Sequence, residues 1–424
     1  MTNTILSAIV VILAVTLLLV ALLLVVKAYI TPKGKVTIDI NEGKKVVEVA
    51  PGSSLLSTLA QEGIYLSSAC GGKGNCGQCK CRVLEGGGTI LPTEVGFFNR
   101  KQIAQGWRLG CQVKVKDNLK IAVSESALEV KQWDCEVISN DNVATFIKEF
   151  KVRLPEGEHV PFKSGQYIQI QIPEYDLNYK DIQGIAPEYM GDWEKYGFFD
   201  INVKNPTPTV RAYSMASYPA EEGVIMLNVR IATPPFDRSQ PRGVFKMLPV
   251  PAGISSSYIF TRKPGDHVTI SGPYGDFLLP ENDPESQEYI FVGGGAGMAP
   301  LRSHIMHLFK TLKTGRTVHF FYGARALVEA FYLEDFAAIE REFPNFKFHL
   351  ALDRPDPAAD AAGVAYTAGF VHNVMYDTYL KQHEAPEDIK YFMCGPPMMV
   401  ASVNNLLDSL GVQPESIYYD NFGA

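Results

Sequence analysis

The hydrophobic pattern of the chain changes rhythm three times. Ile5 to Val26 is apolar apart from Ser7 and Thr16 and carries no charge. At about 1.5 Å per residue it predicts a helix of roughly 33 Å, long enough to cross a bilayer. The run is too long, and its start too free of basic side chains, for a cleaved signal peptide. Lys27, Lys33 and Lys35 follow directly. Positive charge stays on the cytoplasmic side, so everything after Lys27 is expected inside. Next, Val36–Ile40 and Lys45–Val49 alternate around Asn41-Glu42-Gly43-Lys44, the pattern of a β-hairpin. Pro51-Gly52-Ser53 then reads as a turn, and Ser54 to Glu62 as a capped helix. Short strands are expected near Cys81–Leu84, Gln112–Val115 and Ile121–Val123.

From Trp133 to about Pro280 the period is two. Tyr167-Ile168-Gln169-Ile170-Gln171-Ile172 and Ile225-Met226-Leu227-Asn228-Val229-Arg230 are examples. Short alternating strands between turn signals predict an antiparallel barrel. A segment between Pro173 and Asp200 interrupts it, with Asp176, Asp181, Glu188 and Asp192 beside Tyr175, Tyr179, Tyr189 and Trp193. So long an insertion is unusual in a barrel. It reads either as a solvated excursion or as a surface on which another protein of a complex docks. From Gln287 the order becomes strand, glycine turn, helix. Tyr289–Val292 is a buried strand, Gly293-Gly294-Gly295-Ala296-Gly297-Met298-Ala299-Pro300 the turn, and Leu301 to Leu312 the helix. Val318–Tyr322, Phe346–Leu352 and Tyr391–Met393 are further strands, and the alternation predicts a parallel doubly wound sheet.

The expected fold is therefore multidomain. A transmembrane anchor occupies 1–30, a mixed α+β domain of ferredoxin (β-grasp-like) type 31–130, an antiparallel β-barrel 131–283, and an α/β doubly wound domain 284–424. The 424 residues, 46% of them hydrophobic, suffice for several cores. A net charge of −7 argues against nucleic acid as a partner.

The cysteines bring in chemistry. Cys70, Cys76 and Cys79 stand in a C-x5-C-x2-C loop with Gly71, Gly72, Gly74 and Gly77, and Cys111 follows after a long gap. Glycines let such a loop coil tightly and aim N–H groups inward, and N–H donors to sulfur stabilise an iron–sulfur cluster. The plant-type 2Fe–2S spacing is one residue shorter between the first two cysteines. Zinc would favour two knuckle pairs, whereas Cys111 stands alone. Disulfides do not suit an intracellular domain. Cys81 shares a strand face with Val83 and reads as a small buried hydrophobe.

Two turns suit a dinucleotide. Gly293, Gly294, Gly295 and Gly297, with Pro300 opening the helix, let backbone approach a pyrophosphate at a helix N-terminus. Cys394, Gly395 and Pro396 end a later strand, where open α/β sheets bind ligands. In the barrel, Arg211 offers a charged fork for phosphate. Tyr213 can cover a flat ring, and Ser214 can hydrogen-bond a ring nitrogen. Gly253 and Ser256 can cradle a second phosphate through backbone N–H groups.

R-x-Y-S at 211–214, G-x-x-S at 253–256, G-G-G-x-G-x-A-P at 293–300 and C-G-P-P at 394–397 resemble the ferredoxin–NADP reductase superfamily. The resemblance implies an FAD barrel followed by an NAD(P) domain, with a plant-type ferredoxin fused in front. The N-terminal apolar helix, Tyr322-Gly323-Ala324-Arg325, Cys394-Gly395-Pro396-Pro397-Met398-Met399-Val400 and the final Asp420-Asn421-Phe422-Gly423 resemble the F-subunit family of sodium-translocating NADH:quinone oxidoreductases. That resemblance implies the cofactors NADH, FAD and a 2Fe–2S cluster, and a bacterial inner-membrane site. Single-pass anchoring, soluble domains in the cytoplasm, and partner subunits of a membrane quinone reductase are implied with it. It places Phe422 against the flavin and Cys394 by the nicotinamide. The competing expectations are the reductase of a membrane-associated oxygenase and a nucleotide-binding carrier or scaffold.

Overall fold

The computed structural model describes residues 12–22, 34–68, 70–124, 127–128, 130–241 and 243–420. Residues 12–22 are helical and every one is exposed. The rest of the expected membrane span lies outside the described residues. Among the described residues no helix is long and apolar enough to cross a membrane. The chain divides into two compact units, with the main boundary between Glu129 and Val130.

The first unit is a five-stranded mixed sheet with helices packed on it. Its strands are β1 (Val36–Ile40), β2 (Lys45–Val49), β3 (Lys80–Glu85), β4 (Trp107–Leu109) and β5 (Leu119–Ala122), in the order β2-β1-β5-β3-β4. The β1–β2 hairpin turns through Asn41, Glu42 and Gly43, all with positive φ. The helix Leu55–Gln61 is capped by Ser54, whose side chain accepts from the Ser57 N–H. Ile38, Ile40, Leu55, Leu59, Leu109 and Ile121 form a dry core.

One expected strand is absent. Gln112–Val115 is not in the sheet, because the chain turns after Cys111 and both Gln112 and Val113 donate to the Leu109 carbonyl. Val113 and Val115 then exchange backbone bonds with 52–55 instead. The strand lies earlier, at β4.

The second unit holds a barrel and a parallel sheet. The barrel strands are β6 (Lys131–Ala144), β7 (Ile147–Arg153) and β8 (Tyr167–Ile172). After them come a side ribbon of β9 (Tyr175–Asn178) and β10 (Asn202–Asn205), then β11 (Thr209–Ser214), β12 (Val224–Arg230) and β13 (His267–Tyr274). The six-stranded order is β11-β8-β13-β6-β7-β12, antiparallel throughout. The two ends close on each other where Ala216 N–H donates to Met226 O at 2.7 Å and Met215 bridges Leu227.

The insertion is neither a solvated excursion nor, through its aromatics, an open docking face. It forms β9, the helix Pro187–Lys195 and β10, and it folds onto the barrel. Trp193 is 0% exposed and donates its indole N–H to the Thr145 carbonyl at 2.9 Å. Tyr179 is equally buried, with its hydroxyl 2.7 Å from Ser257 Oγ. The acids stay at the surface while the rings join the core, as an amphipathic segment requires.

The parallel sheet contains β14 (Tyr289–Gly294), β15 (Val318–Ala324), β16 (Phe346–Leu352), β17 (Thr367–Ala368), β18 (Lys390–Cys394) and β19 (Ile417–Asp420). Their order is β17-β16-β15-β14-β18-β19, so the winding reverses between β14 and β18. Barrel and sheet are clamped together. Arg302 donates to Ala216 O at 2.8 Å and pairs with Glu221 at 3.2 Å, while the Tyr332 hydroxyl donates to Glu149 at 2.6 Å.

Replacing Trp193 with Ala removes a fully buried ring and its hydrogen bond. A loss of about 3–5 kcal/mol is expected, read in urea unfolding of the second unit by near-UV circular dichroism. Replacing exposed Glu194 with Ala should leave the same midpoint within about 0.5 kcal/mol.

Candidate functional site

The crevice of the parallel sheet opens where its winding reverses, at the carboxyl ends of β14 and β18. Gly293 and Cys394 are direct partners across these strands. The helix starts earlier than the sequence pattern suggests, at Met298, and runs to Met306 with Pro300 buried in its first turn. Proline is tolerated there because the first-turn N–H groups have no intrahelical acceptor. A second helix, Pro397–Ser409, starts beside it with Pro396 at its cap. Two helix N-termini therefore converge on one crevice, each offering free N–H groups and positive dipole. The glycines make this approach possible. A Cβ on Gly297 would stand 2.0 Å from Cys394 O, and Gly295 has φ +57°. On Gly395 a Cβ would meet the Met399 side chain at 2.6 Å.

The barrel contributes its own edge. Arg211 and Tyr213 alternate on β11, and Ser214 ends it on the opposite face. Arg211 Nη1 donates to Thr209 Oγ1 at 2.9 Å and Val210 O at 2.7 Å. Burial pushes the Tyr213 hydroxyl up to about 12, and a hydrogen bond toward Ser255 partly offsets this. Tyr213 thus sits beside the turn into the helix Ile254–Phe260. Gly253 precedes that helix, and its N–H already donates to Ala232 O at 2.7 Å. The Ser256 hydroxyl accepts from Ala232 N–H at 3.0 Å and donates to Gly253 O at 3.3 Å. Its side chain therefore shapes the turn, and only its backbone N–H remains for a phosphate.

At this corner a hydrogen bond joins the two halves. Ser214 Oγ donates to Asp420 Oδ2 at 2.8 Å. Asp420 ends β19 and lies directly across from Cys394 on β18. Barrel strand, C-terminal acid and buried thiol thus share one corner. In the sequence Asp420 opens the Asp420-Asn421-Phe422-Gly423 motif that carries the family resemblance, but the role implied there falls on the aromatic two positions on. Phe422 lies outside the described residues. The Cys394 thiol is 0% exposed, and burial first, then the Asp420 carboxylate, hold its pKa well above the usual cysteine range.

In the first unit the glycine loop coils as its composition requires. Gly72, Gly74 and Gly77 all have positive φ, and Cβ atoms on Gly74 and Gly77 would strike Gln112 and Phe97. Cys79 and Cys111 are both buried. They are also neighbours, since the Cys111 side chain is the largest cause raising the Cys79 pKa, ahead of burial. Gly110 N–H donates to Cys79 O at 2.7 Å, which ties the two backbones together. Gln112 Nε2 donates to Cys111 Sγ at 3.6 Å. Cys70 and Cys76 are half-buried, and Cys81 is buried within β3. Among the described residues no three His, Cys, Asp or Glu side chains converge on the position of a single metal ion. A cluster of two irons makes a different demand, for paired thiolates with N–H donors around them. The Cys79–Cys111 pair and the Gln112 amide fit that demand.

Three family models match the chain. They are a 2Fe-2S iron-sulfur cluster binding domain over residues 38–116, an oxidoreductase FAD-binding domain over 193–278, and an oxidoreductase NAD-binding domain over 291–405. A protein of Idiomarina loihiensis is 52% identical over 400 residues, 94% of each chain. One of Haemophilus ducreyi is 50% identical over 425 residues, all of both chains. Both are described as the F subunit of a Na(+)-translocating NADH-quinone reductase. Among solved structures, the Amycolatopsis cytochrome P450 reductase GcoB covers 91% of this chain and 98% of its own at 23% identity, with a TM-score of 0.61. The ferredoxin reductase in carbazole 1,9a-dioxygenase covers 92% and 99% at 20% identity, with a TM-score of 0.57. At these identities the likeness is one of fold.

The raised Cys394 pKa has a direct chemical consequence. Thiolate is the nucleophile, so a thiol whose pKa lies well above the usual cysteine range is almost wholly unreactive at mildly alkaline pH. Iodoacetamide should leave Cys394 unmodified in the native chain and modify it fully in denaturant. Peptide mapping that finds alkylation of the native chain would contradict this environment.

Proposed function

We propose how a chain that belongs to the F-subunit family of Na(+)-translocating NADH-quinone reductases divides its work among its residues, with the Ser214–Asp420 hydrogen bond at the centre. The chain is the NADH-oxidising electron-input subunit of a membrane quinone reductase, and it works with NADH, FAD and a 2Fe–2S cluster. Bound, these groups turn a two-electron hydride donor into a supply of single electrons.

The chain's own residues bind, orient and exclude water. The N–H groups after Gly293–Gly297 and Pro396 hold the pyrophosphate of NADH between two helix N-termini. Cys394 stays neutral and buried, so it lines the nicotinamide end without charge. Asp420 fixes the rotamer of Ser214, whose hydroxyl would lie by a ring nitrogen of the flavin. Arg211 balances flavin phosphate charge, Tyr213 covers the ring, and the first-turn N–H groups after Gly253 take further phosphate oxygens. By family resemblance Phe422, two residues beyond Asp420, would cover the flavin and give way to the nicotinamide. Cys70, Cys76, Cys79 and Cys111 would hold the 2Fe–2S cluster as thiolates, with the Gln112 amide as a donor to the Cys111 sulfur.

The N-terminus anchors this machinery. Ile12, Leu17 and Leu18 are 65%, 67% and 70% exposed on the helix spanning 12–22. A helix apolar on every side belongs in a hydrocarbon environment. We assign residues 5–26 to a single span in the bacterial inner membrane, with Lys27, Lys33 and Lys35 on the cytoplasmic side. The electron passes to partner subunits held at the same membrane.

Three experiments test this division. Replacing Cys70, Cys76, Cys79 or Cys111 with Ala should abolish the 2Fe–2S EPR signal and leave NADH–ferricyanide activity, whereas Cys81→Ala should keep the signal. Asp420→Ala and Ser214→Ala should slow flavin reduction in stopped flow by roughly tenfold or more, about 1.4 kcal/mol of barrier, with iron content unchanged. Normal reduction in both variants would remove Ser214–Asp420 from the hydride site. Deleting residues 1–26 should preserve NADH oxidation with artificial acceptors and abolish quinone reduction in reconstituted membranes. Full quinone reductase activity of the truncated chain would refute the anchor.

A further inference from the structure

A buried ion pair lies in the first unit, on the strand that leads to Cys111. Glu94 is 0% exposed and Arg108 5%. Arg108 Nε lies 3.0 and 3.1 Å from the two carboxylate oxygens, and Nη2 lies 2.8 Å from Oε2. The carboxylate also accepts from the N–H groups of Leu91 at 3.0 Å and Leu109 at 2.8 Å. Nη1 donates to the carbonyls of Gly87 at 2.8 Å and Gly88 at 3.2 Å. Every polar face of the pair is therefore engaged. A buried pair of this kind is weak evidence for stability, since desolvating two charges offsets most of their attraction. Its value must lie in what it fixes and what field it makes.

What it fixes is the strand that delivers Cys111. Arg108 faces Cys81 across β3–β4, and Leu109 faces Lys80. Glu94 holds the Leu109 N–H, the Leu109 carbonyl accepts from Gln112 and Val113, and Gly110 N–H binds Cys79 O. One carboxylate thus pins the backbone two residues before one thiol, and the next residue binds the backbone of the other. A register slip of β4 against β3 would break the pair, both Gly87 and Gly88 contacts and the Cys79–Gly110 bond together. What it makes is a fixed guanidinium and a fixed carboxylate in a low-dielectric core, where charges act strongly on a nearby redox centre.

We propose that Glu94 and Arg108 are positioning residues for the iron–sulfur site, which hold Cys79 and Cys111 in register and set the cluster's reduction potential through their opposed charges. This rests on the reading that Cys79 and Cys111 are cluster ligands. Reduction makes the cluster more negative, so an uncompensated Arg108 favours the reduced form and an uncompensated Glu94 disfavours it. A buried apolar pair could hold the same register but could not produce that sign difference.

The test is an EPR-monitored redox titration of the full chain with its cluster loaded. Glu94→Gln keeps the carboxylate's shape and should raise the potential, while Arg108→Gln should lower it. Each shift should be on the order of a tenfold change in the reduced-to-oxidised ratio, about 59 mV for one electron. The Glu94→Gln/Arg108→Gln double variant should return towards the parent. Parental potentials in both single variants, or shifts of the same sign, overturn the proposal. Should a single variant fail to hold iron, Arg108→Lys decides, because it keeps the charge and loses the fork. It should keep the potential near the parent's and change the g values, and a wholly parental spectrum overturns the proposal. A failure of the underlying reading looks different: Cys111→Ala would then retain the parental signal.

Discussion

A methyl group on Gly297 would lie 2.0 Å from the Cys394 carbonyl oxygen. No side chain can occupy that space, so the glycine turn after β14 and the strand end of β18 must meet backbone to backbone. That contact fixes much of the second unit. It sets where the helix Met298–Met306 begins and brings it beside the start of Pro397–Ser409. Cys394 is held with no freedom to leave the sheet, and Asp420 is paired to it across β19. Ser214 can meet Asp420 only if β19 ends where it does. The chemistry of the corner thus follows from a steric exclusion one strand away.

A crevice of this kind works only if the flavin barrel stays in place against it. Three contacts of different character supply that. Arg302 and Glu221 form a half-buried ion pair whose guanidinium also stacks over Tyr332 at 5.3 Å. Tyr332 has φ +60°, an uncommon conformation for a bulky side chain, and its hydroxyl meets both Glu149 and Asn228. His304 packs edge-on against Phe277 and meets Ser164 at 3.1 Å. Burial holds the His304 pKa at about 3, so it stays neutral at any ordinary pH and behaves as a packing group. Neutral, ionic and strained contacts around one interface leave few ways for the barrel to pivot.

Periodic features were readable in the sequence because backbone geometry writes them there. The period-two runs became barrel strands, and the glycine turns fell at the carboxyl ends of β14 and β18. Long-range facts were not readable. The acids of the insertion stand at the surface, but that Trp193 and Tyr179 join the barrel core depends on Thr145, 48 positions from the one, and Ser257, 78 from the other. Gln112–Val115 had strand composition, yet the turn after Cys111 took its hydrogen bonds. That the Ser256 hydroxyl accepts from the Ala232 N–H was not readable either. Asp420 became a site residue only through Ser214, 206 positions earlier in the chain. Each of these turns on which partner a polar group finds, and a single sequence does not carry pairings.

The two units also differ in what holds them together. Among the described residues the second has three large apolar clusters, around Phe150 and Trp193, around Phe291 and Phe320, and around Tyr391 and Met393. The first is small, and its loop from Gly72 to Gln78 has no regular structure. Small domains bury a lower fraction of their surface and are correspondingly marginal. Gly72, Gly74 and Gly77, all at positive φ, add a further entropic cost, since glycine loses more freedom on folding than any other residue. Cluster binding offsets such a cost, because the free energy of a metal centre absent from the unfolded chain is folding free energy. The Glu94–Arg108 pair cannot replace it, since its hydrogen bonds go to β4 and the 87–91 segment rather than to the glycine loop. On the ligand set proposed above, the loop's order is linked to the cluster.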